Sequence, residues 1–366
     1  MKQTGFDTTF QPKTALLAID APYNPISDKS AYFKEFESLV KTRGIIFDSA
    51  IDIKIREVDS SNFLTKGKLE EIRNFCVENK IKLLIVSEAL TTQQERNLED
   101  ILRCEVIDRT RLILEIFENA ALSAEGKAQV EIAILQFKKS RLAGKGIHMS
   151  QQGGGIGIRG GFGETAKEKE MRHIENQILK HKKRLKEIEK SRATQRKQRL
   201  ERNVPLMSLI GYTNAGKSTI LNTLTNADVL AEDKLFATLD TTTREIYVDG
   251  IKKGVISDTV GFIQQLPHQL IEAFKSTLAE LQYSDLLLHV IDASDKNWDM
   301  HAKIVHEILE ELEVEKPMLY IFNKVDQVEN IENLEIRVKD YTPHVLISAN
   351  TRDGIQPLKE FLAKHK

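Results

Sequence analysis

The chain has 366 residues but only two cysteines, Cys76 and Cys104. They stand in no ligand spacing, so neither a disulfide framework nor a zinc site is expected. No apolar run approaches the ~20 residues that span a bilayer, and the first residues carry no signal-peptide pattern. A cytoplasmic protein without a membrane span is the expectation. An excess of one charge is missing too: 53 Lys and Arg stand against 54 Asp and Glu, a net charge of −1. A uniformly basic chain is thereby excluded, but a local basic surface is not. Lys167–Arg202 holds 14 Lys and Arg against 6 Asp and Glu, which leaves the remainder at −9.

That basic stretch has Ile174, Ile178, Leu179, Leu185 and Ile188 at helical spacing, so it reads as a long amphipathic helix or helical hairpin. Two readings stand side by side, a solvated linker and a face for nucleic-acid phosphates, with Lys182, Lys183 and Arg184 as contact candidates. It has no Trp, Tyr or Phe, so stacking on single-stranded bases is not indicated. Just upstream, Gly153–Gly163 contains a Gly-x-Gly-x-x-Gly match at Gly155, Gly157 and Gly160. A dinucleotide site needs a strand before that motif, whereas Gln129–Arg141 reads as helix. A loop so rich in glycine orders only against a partner, and Arg159 beside the basic helix makes RNA the candidate.

The strongest local signal is Gly211-Tyr212-Thr213-Asn214-Ala215-Gly216-Lys217-Ser218, with Thr219 following. It fits the phosphate-binding P-loop, Gly, four residues, Gly-Lys-Ser. Val204–Ile210 reads as a buried strand and Ser218–Leu224 as the first turns of a helix. The turn between them aims N–H groups and the positive helix end at phosphate. Lys217 reaches the outer phosphates, and Ser218 offers its hydroxyl to Mg²⁺. The base is specified further on. Apolar Pro317–Phe322 ends in Asn323-Lys324-Val325-Asp326, where a carboxylate accepts hydrogen bonds from N1–H and N2–H₂ of guanine. Adenine would leave that carboxylate facing an acceptor. Asn-Lys-x-Asp can also merely end a strand, but a P-loop upstream favours the guanine reading.

Between these motifs, Gly254–Ser257 reads as a strand leading into Asp258-Thr259-Val260-Gly261. Asp258 is expected to hold the Mg²⁺ shell through water, and the Gly261 N–H to meet the γ-phosphate. Phe236-Ala237-Thr238-Leu239-Asp240, with Arg244 closing the segment, stands where a switch supplies a Thr to Mg²⁺. Spacing leaves Thr238, Thr241, Thr242 and Thr243 open. Val345–Asn350 ends a last strand, with Ser348, Ala349 and Asn350 closing over the guanine ring. Phe262 follows Gly261 where Ras-like proteins carry the water-positioning Gln, so slow intrinsic hydrolysis completed from elsewhere is expected. Asn214 has two readings: a ligand for a monovalent cation such as K⁺ beside the phosphates, or a residue tolerating an unusual turn. His268 is read as packing or capping the next helix.

Residues 1–110 read as a separate small α/β domain. Ala15–Ile19, Gly44–Phe47, Leu83–Val86 and Val106–Ile107 are the strand candidates, with helices such as Lys68–Phe75 between them. Residues from about 112 to 142 are expected to continue as helix. The fold class is thus α/β: a Ras-like, doubly wound, mostly parallel GTPase domain at 204–366. A small α/β domain and a helical arm at 111–203 precede it, the arm carrying the Gly-rich loop at 153–163.

The combination resembles the HflX family of translational GTPases. The likeness rests on Phe236–Asp240 with Thr242-Thr243-Arg244, on Asp258–Ile263 followed by Leu266-Pro267-His268, and on Asp108-Arg109-Thr110 with Leu112–Phe117. It also rests on Glu125–Val130 and the Gly-rich loop. The resemblance implies a GTP-hydrolysing factor that binds the ribosome, chiefly the large subunit and its rRNA, and splits stalled or stress-arrested ribosomes. It implies Thr238 as the Mg²⁺ ligand of the first switch, so that Lys217, Thr238, Gly261 and Asn214 form the catalytic set. It also gives the Gly-rich loop and basic helix a place near the peptidyl-transferase centre. A monomer is expected. This chain departs from the family at Ile158, Gly161 and Phe162, where one residue is inserted and a Pro lost. It departs again at Thr241, where Pro is usual. It ends at Lys366 after the last helix of the GTPase domain, so a further C-terminal domain is expected to be absent. The rival reading is a large-subunit assembly or hibernation factor gated by GTP without splitting. A third, an RNA-remodelling protein whose N-terminal domain also uses ATP, finds no second P-loop in support.

Overall fold

The computed structural model describes residues 12–24, 28–144, 166–202, 204–225, 235, 236, 239, 242–351 and 353–364. The chain forms two compact units. The first takes in residues up to Asn119 with Leu135–Glu175, and the second takes in Ala120–Ile134 with residues from Asn176 onward.

The first unit opens on β1 (Thr14–Asp20), an apolar run buried along its length, as suits the middle of a parallel sheet. Helix α1 (Lys29–Arg43) starts where the Asp28 side chain accepts from the Ala31 N–H, and stops at Gly44 in the left-handed region. Then come β2 (Ser49–Lys54), α2 (Lys66–Glu78), β3 (Leu83–Val86), α3 (Thr92–Leu102), β4 (Glu105–Ile107) and α4 (Arg109–Ala120). All pairs are parallel in the order β2-β1-β3-β4. Gly44–Phe47 is not the strand it reads as. Gly44 caps α1, Ile46 is exposed, and the strand is β2. β2 is an edge strand in which only Ile53 is fully buried, so its apolar density is lower than that of the link before it. The two thiols, Cys76 and Cys104, are free, buried in this unit's core and hydrogen-bonded to each other. The neighbouring thiol and burial push Cys104 up, which keeps it protonated. Among the described residues no group of three or more His, Cys, Asp or Glu could hold a metal.

The expected continuous helix through 112–142 is two helices. α5 (Ala124–Gly144) restarts where the Ser123 hydroxyl accepts from the Gly126 N–H. The basic stretch is one helix, α6 (Ala166–Glu201), about 54 Å long at 1.5 Å per residue. Ile174 and Ile178 are buried on it, but Leu179 is exposed, one position off the stripe that the sequence suggests. No helix among the described residues is long and apolar enough to cross a membrane.

The rest of the second unit runs β5 (Leu206–Gly211), α7 (Lys217–Thr225), β6 (Thr242–Val248), β7 (Ile251–Asp258) and α8 (His268–Leu278). It continues with β8 (Leu286–Asp292), α9 (Trp298–Glu311), β9 (Met318–Asn323), α10 (Ile331–Arg337), β10 (His344–Leu346) and α11 (Gln356–Lys364). The six-stranded order is β10-β9-β8-β5-β7-β6, antiparallel only at β6–β7. Alternate residues of the central strands feed two apolar clusters. One gathers α7 and α11 through Ile220, Leu221, Leu358 and Leu362, the other α9 through Trp298 and Ala302. This is the doubly wound, Ras-like sheet.

Candidate functional site

In an open parallel sheet, ligands bind outside the carboxyl ends of strands, where the strand order reverses. Here β5 lies between β8 and β7, and the residues singled out from the sequence follow the ends of β5, β7, β9 and β10. Gly211 ends β5, and Lys217 opens α7 after a loop through Tyr212, Thr213, Asn214, Ala215 and Gly216. Asn214 has φ 60°, so the unusual-turn reading describes its backbone, and its side chain is exposed. Gly216 has φ 95°, and a Cβ there would fall 2.3 Å from Asn323 Nδ2.

That contact shows how the loops are joined. Asn323 Nδ2 donates to the Ala215 carbonyl at 2.9 Å, while its Oδ1 accepts from the Ala349 N–H at 3.0 Å. One buried side chain therefore ties the P-loop, β9 and the 348–350 loop into a single frame. Asp326 remains exposed, with its Oδ1 accepting from Ser348 Oγ at 2.5 Å. Lys324 has φ 63° and pairs with Asp292 at 2.6 Å. Val325 N–H donates to the Ile347 carbonyl at 3.2 Å, and Asn350 is exposed.

Lys217 is buried, and its ammonium donates to the carbonyls of Gly211 at 3.1 Å and Tyr212 at 2.8 Å. Burial lowers its pKa to about 8 against the opposing pull of Asp258. Ser218 Oγ donates to Asp258 Oδ2 at 2.8 Å, and Thr219 lies one residue further into α7. A serine hydroxyl beside a buried carboxylate is the hard-oxygen donor set that Mg²⁺ takes, so these residues fit the ion. Thr259 serves the framework instead, donating through Oγ1 to the Leu209 carbonyl at 2.6 Å. Val260 is buried, and Gly261 lies against the P-loop. A Cβ there would meet Lys217 Nζ and Thr213 Cγ2, both at 2.9 Å. Phe262 is buried, with no group to orient water.

Of the first switch, Phe236 and Leu239 are buried, while Thr242 and Thr243 begin β6, Thr242 standing across from Asp258. The Thr242 hydroxyl is buried without a hydrogen-bond partner among the described residues. Ala237, Thr238, Asp240 and Thr241 lie outside the described residues, as do Gly155, Gly157, Arg159 and Gly160 of the Gly-rich loop. His268 opens α8. Lys182, Lys183 and Arg184 are exposed on α6. Further along the same helix, three arginines are engaged within the unit. Arg192 pairs with Glu125 at 2.7 Å, Arg196 pairs with Glu280 at 3.2 Å and lies 3.6 Å from the Tyr283 ring centroid, and Arg199 donates to the Tyr283 carbonyl. Asp292 was missed in the sequence. Its signal is an acid ending the apolar run Leu286–Ile291, level with Asn323 in the β8–β9 register.

Family models match in three consecutive stretches. They are a GTP-binding GTPase N-terminal region at 30–118, a GTP-binding GTPase middle region at 120–199 and a 50S ribosome-binding GTPase at 206–324. The GTPase HflX of Caldanaerobacter subterraneus subsp. tengcongensis is 43% identical over 90% of this chain and 76% of its own length. The GTPase HflX of Escherichia coli is 43% identical over 90% of this chain and 78% of its own. Among solved structures, the SsGBP–GDP complex is 26% identical, covers 96% of this chain and 98% of its own, and superimposes with a TM-score of 0.50. The chain is thus a P-loop protein that binds GTP and GDP and hydrolyses GTP.

Proposed function

The chain belongs to the HflX family of GTPases, and from that membership we propose a GTP-driven factor of the ribosome. It binds chiefly the large subunit and its rRNA in the cytoplasm, and it splits stalled or stress-arrested ribosomes. The observation that carries this reading is one chain joining a guanine-nucleotide site to an exposed cationic run, Lys182-Lys183-Arg184, on α6. The match of residues 206–324 to a 50S ribosome-binding GTPase supports the choice of subunit.

Each residue has a part in the switch. N–H groups of the P-loop and the start of α7 take the phosphates, with Lys217 at the outer ones. Asp326, held by Ser348, reads guanine, and Ala349 and Asn350 close over the ring. Ser218, Thr238 and, through water, Asp258 would hold Mg²⁺, which neutralises phosphate charge when bound. Thr238 and Gly261 gather on the γ-phosphate and order both switches for ribosome binding, and hydrolysis releases them. Phe262 leaves hydrolysis slow in the isolated chain, so the ribosomal particle supplies the acceleration. Asn214 would hold K⁺ beside the phosphates.

The test measures GTP hydrolysis with and without large subunits, in K⁺ and in Na⁺, and follows dissociation of intact ribosomes by light scattering. Acceleration by large subunits with GTP-dependent dissociation is the expected result. Acceleration without dissociation would replace splitting by assembly or hibernation. No response to large subunits would remove the ribosome as partner, and equal rates in K⁺ and Na⁺ would leave Asn214 a turn residue only.

A further inference from the structure

Beyond the Ser218–Asp258 bond, three hydrogen bonds at Phe262 and Gln264 fasten the second switch to the P-loop among the described residues. Thr213 N–H donates to the Phe262 carbonyl at 2.8 Å, and Phe262 N–H donates to the Gly211 carbonyl at 3.1 Å. These two are main-chain bonds, open to any sequence. The third is not. The Gln264 N–H donates to the phenol oxygen of Tyr212 at 2.9 Å, in a buried setting. Tyr212 is the second residue of the P-loop, and its ring is held from outside the loop. It stacks on the His301 ring of α9, with centroids 3.9 Å apart and planes 10° from parallel. His301 Nδ1 in turn stands 3.7 Å from Asp295 Oδ2.

We propose that Tyr212 is a positioning residue for GTP hydrolysis: its phenol oxygen holds the second-switch backbone at Gln264 over the P-loop, and the His301 ring fixes the phenol. The segment from Gly261 to Gln264 is then pinned at Phe262 and again at Gln264. Gly261 lies so close to Thr213 and Lys217 that even a Cβ would collide. A small drift of the segment therefore moves the Gly261 N–H away from the γ-phosphate. In this chain that placement carries unusual weight, because Phe262 offers no side-chain group to orient water. The phenol touches none of the groups that hold the inner phosphates and reaches GTP only through the Gly261 N–H at the γ-phosphate, so the tether acts on turnover and leaves GDP affinity where it is. It pre-organises donors before charge develops, which is where such placement accelerates a reaction.

The inference rests on GTP hydrolysis and not on the ribosomal partner, so it is tested with the full chain alone. Tyr212→Phe keeps the stacked ring and removes the acceptor. Single-turnover hydrolysis at saturating GTP is expected to slow about fivefold to twentyfold, with the GDP dissociation constant within about twofold of the parent and a slightly lower thermal midpoint from the unpaired Gln264 N–H. His301→Ala is expected to slow hydrolysis about threefold to tenfold, and His301→Phe, which keeps a stacking ring, to restore most of it. An unchanged or faster rate in Tyr212→Phe overturns the proposal. So does a loss of GDP affinity in step with the rate, which assigns Tyr212 to the framework alone. Loss of ribosome stimulation with these intrinsic rates as expected would count against the proposed function and leave this inference standing.

Discussion

Lys217 carries a pH signature that separates it from a surface lysine. Its pKa is about 8 against the ordinary 10.5, because burial disfavours the charged form. Between those two values the unfolded chain binds more protons than the folded one. Stability of the nucleotide-free protein therefore rises with pH across that window, as far as this group contributes. Phosphate oxygens reverse the preference by stabilising the ammonium. Nucleotide binding at pH 8.5 is then expected to take up a fraction of a proton, and affinity to fall as pH climbs above 8. Calorimetry in buffers of different ionisation enthalpy reads that uptake directly. It should vanish in Lys217→Ala, and an uptake that persists there would assign it to another group. Base choice is tested at Asp326. Asn in its place keeps an acceptor for N1–H but turns a donor toward the guanine amino group. GTP affinity should fall at least a hundredfold, with xanthosine triphosphate gaining. Ser348→Ala removes one bond to the same carboxylate, worth about 1 kcal/mol, and should weaken GTP about fivefold while leaving base choice intact. These residues were legible because their chemistry is local: a phosphate cradle and a guanine acceptor are each written within eight consecutive positions. Asp292, His301 and the clamping role of Asn323 were not, because each acts through a partner on another strand or helix. No spacing in a single sequence shows which loops will meet.

At the scale of elements, α6 divides into two kinds of cation. Arg196 is four-fifths shielded, pairs with Glu280 and lies over the Tyr283 ring. Arg196→Ala should cost the second unit about 1–2 kcal/mol, seen as a lower denaturation midpoint at unchanged m-value. Replacing Lys182, Lys183 and Arg184 together by Ala should leave stability within about 0.5 kcal/mol. It should weaken binding to large subunits and lower the slope of log K against log salt by about 2–3. If both sets of substitutions shift only stability, α6 is a packed strut and its exposed cations have no polyanionic partner. The sequence showed the charge of this stretch and a helix or helical hairpin, but neither the single helix nor this division, since Glu125, Glu280 and Tyr283 are remote in the chain. Strands were legible where both faces are buried, as at β3, whose four residues match the apolar run in full. They were misread at the edge, where β2 alternates Ser49, Ile51 and Ile53 with Ala50, Asp52 and Lys54, while the helix-ending Gly44 and the three apolar residues after it mimic a strand.

The whole molecule is two units, each with its own apolar core, and only the second holds the nucleotide residues. A ligand that binds one folded unit stabilises that unit by mass action and leaves the other where it was. GDP with Mg²⁺ at a hundred times its dissociation constant adds about 2.7 kcal/mol to the unit it binds. Scanning calorimetry is therefore expected to show two transitions, of which GDP raises one and leaves the other unmoved. Gly216→Ala supplies the control. Its Cβ would overlap Asn323 Nδ2 at 2.3 Å, at a φ that L residues rarely adopt, so the P-loop and the guanine loops lose their shared frame. The GDP-dependent transition should fall and stop responding to nucleotide, while the other stays in place. A single transition displaced as a whole by GDP would mean that the two cores unfold as one. The nucleotide switch would then reach the first unit through stability itself, without requiring a contact that changes with the bound phosphate.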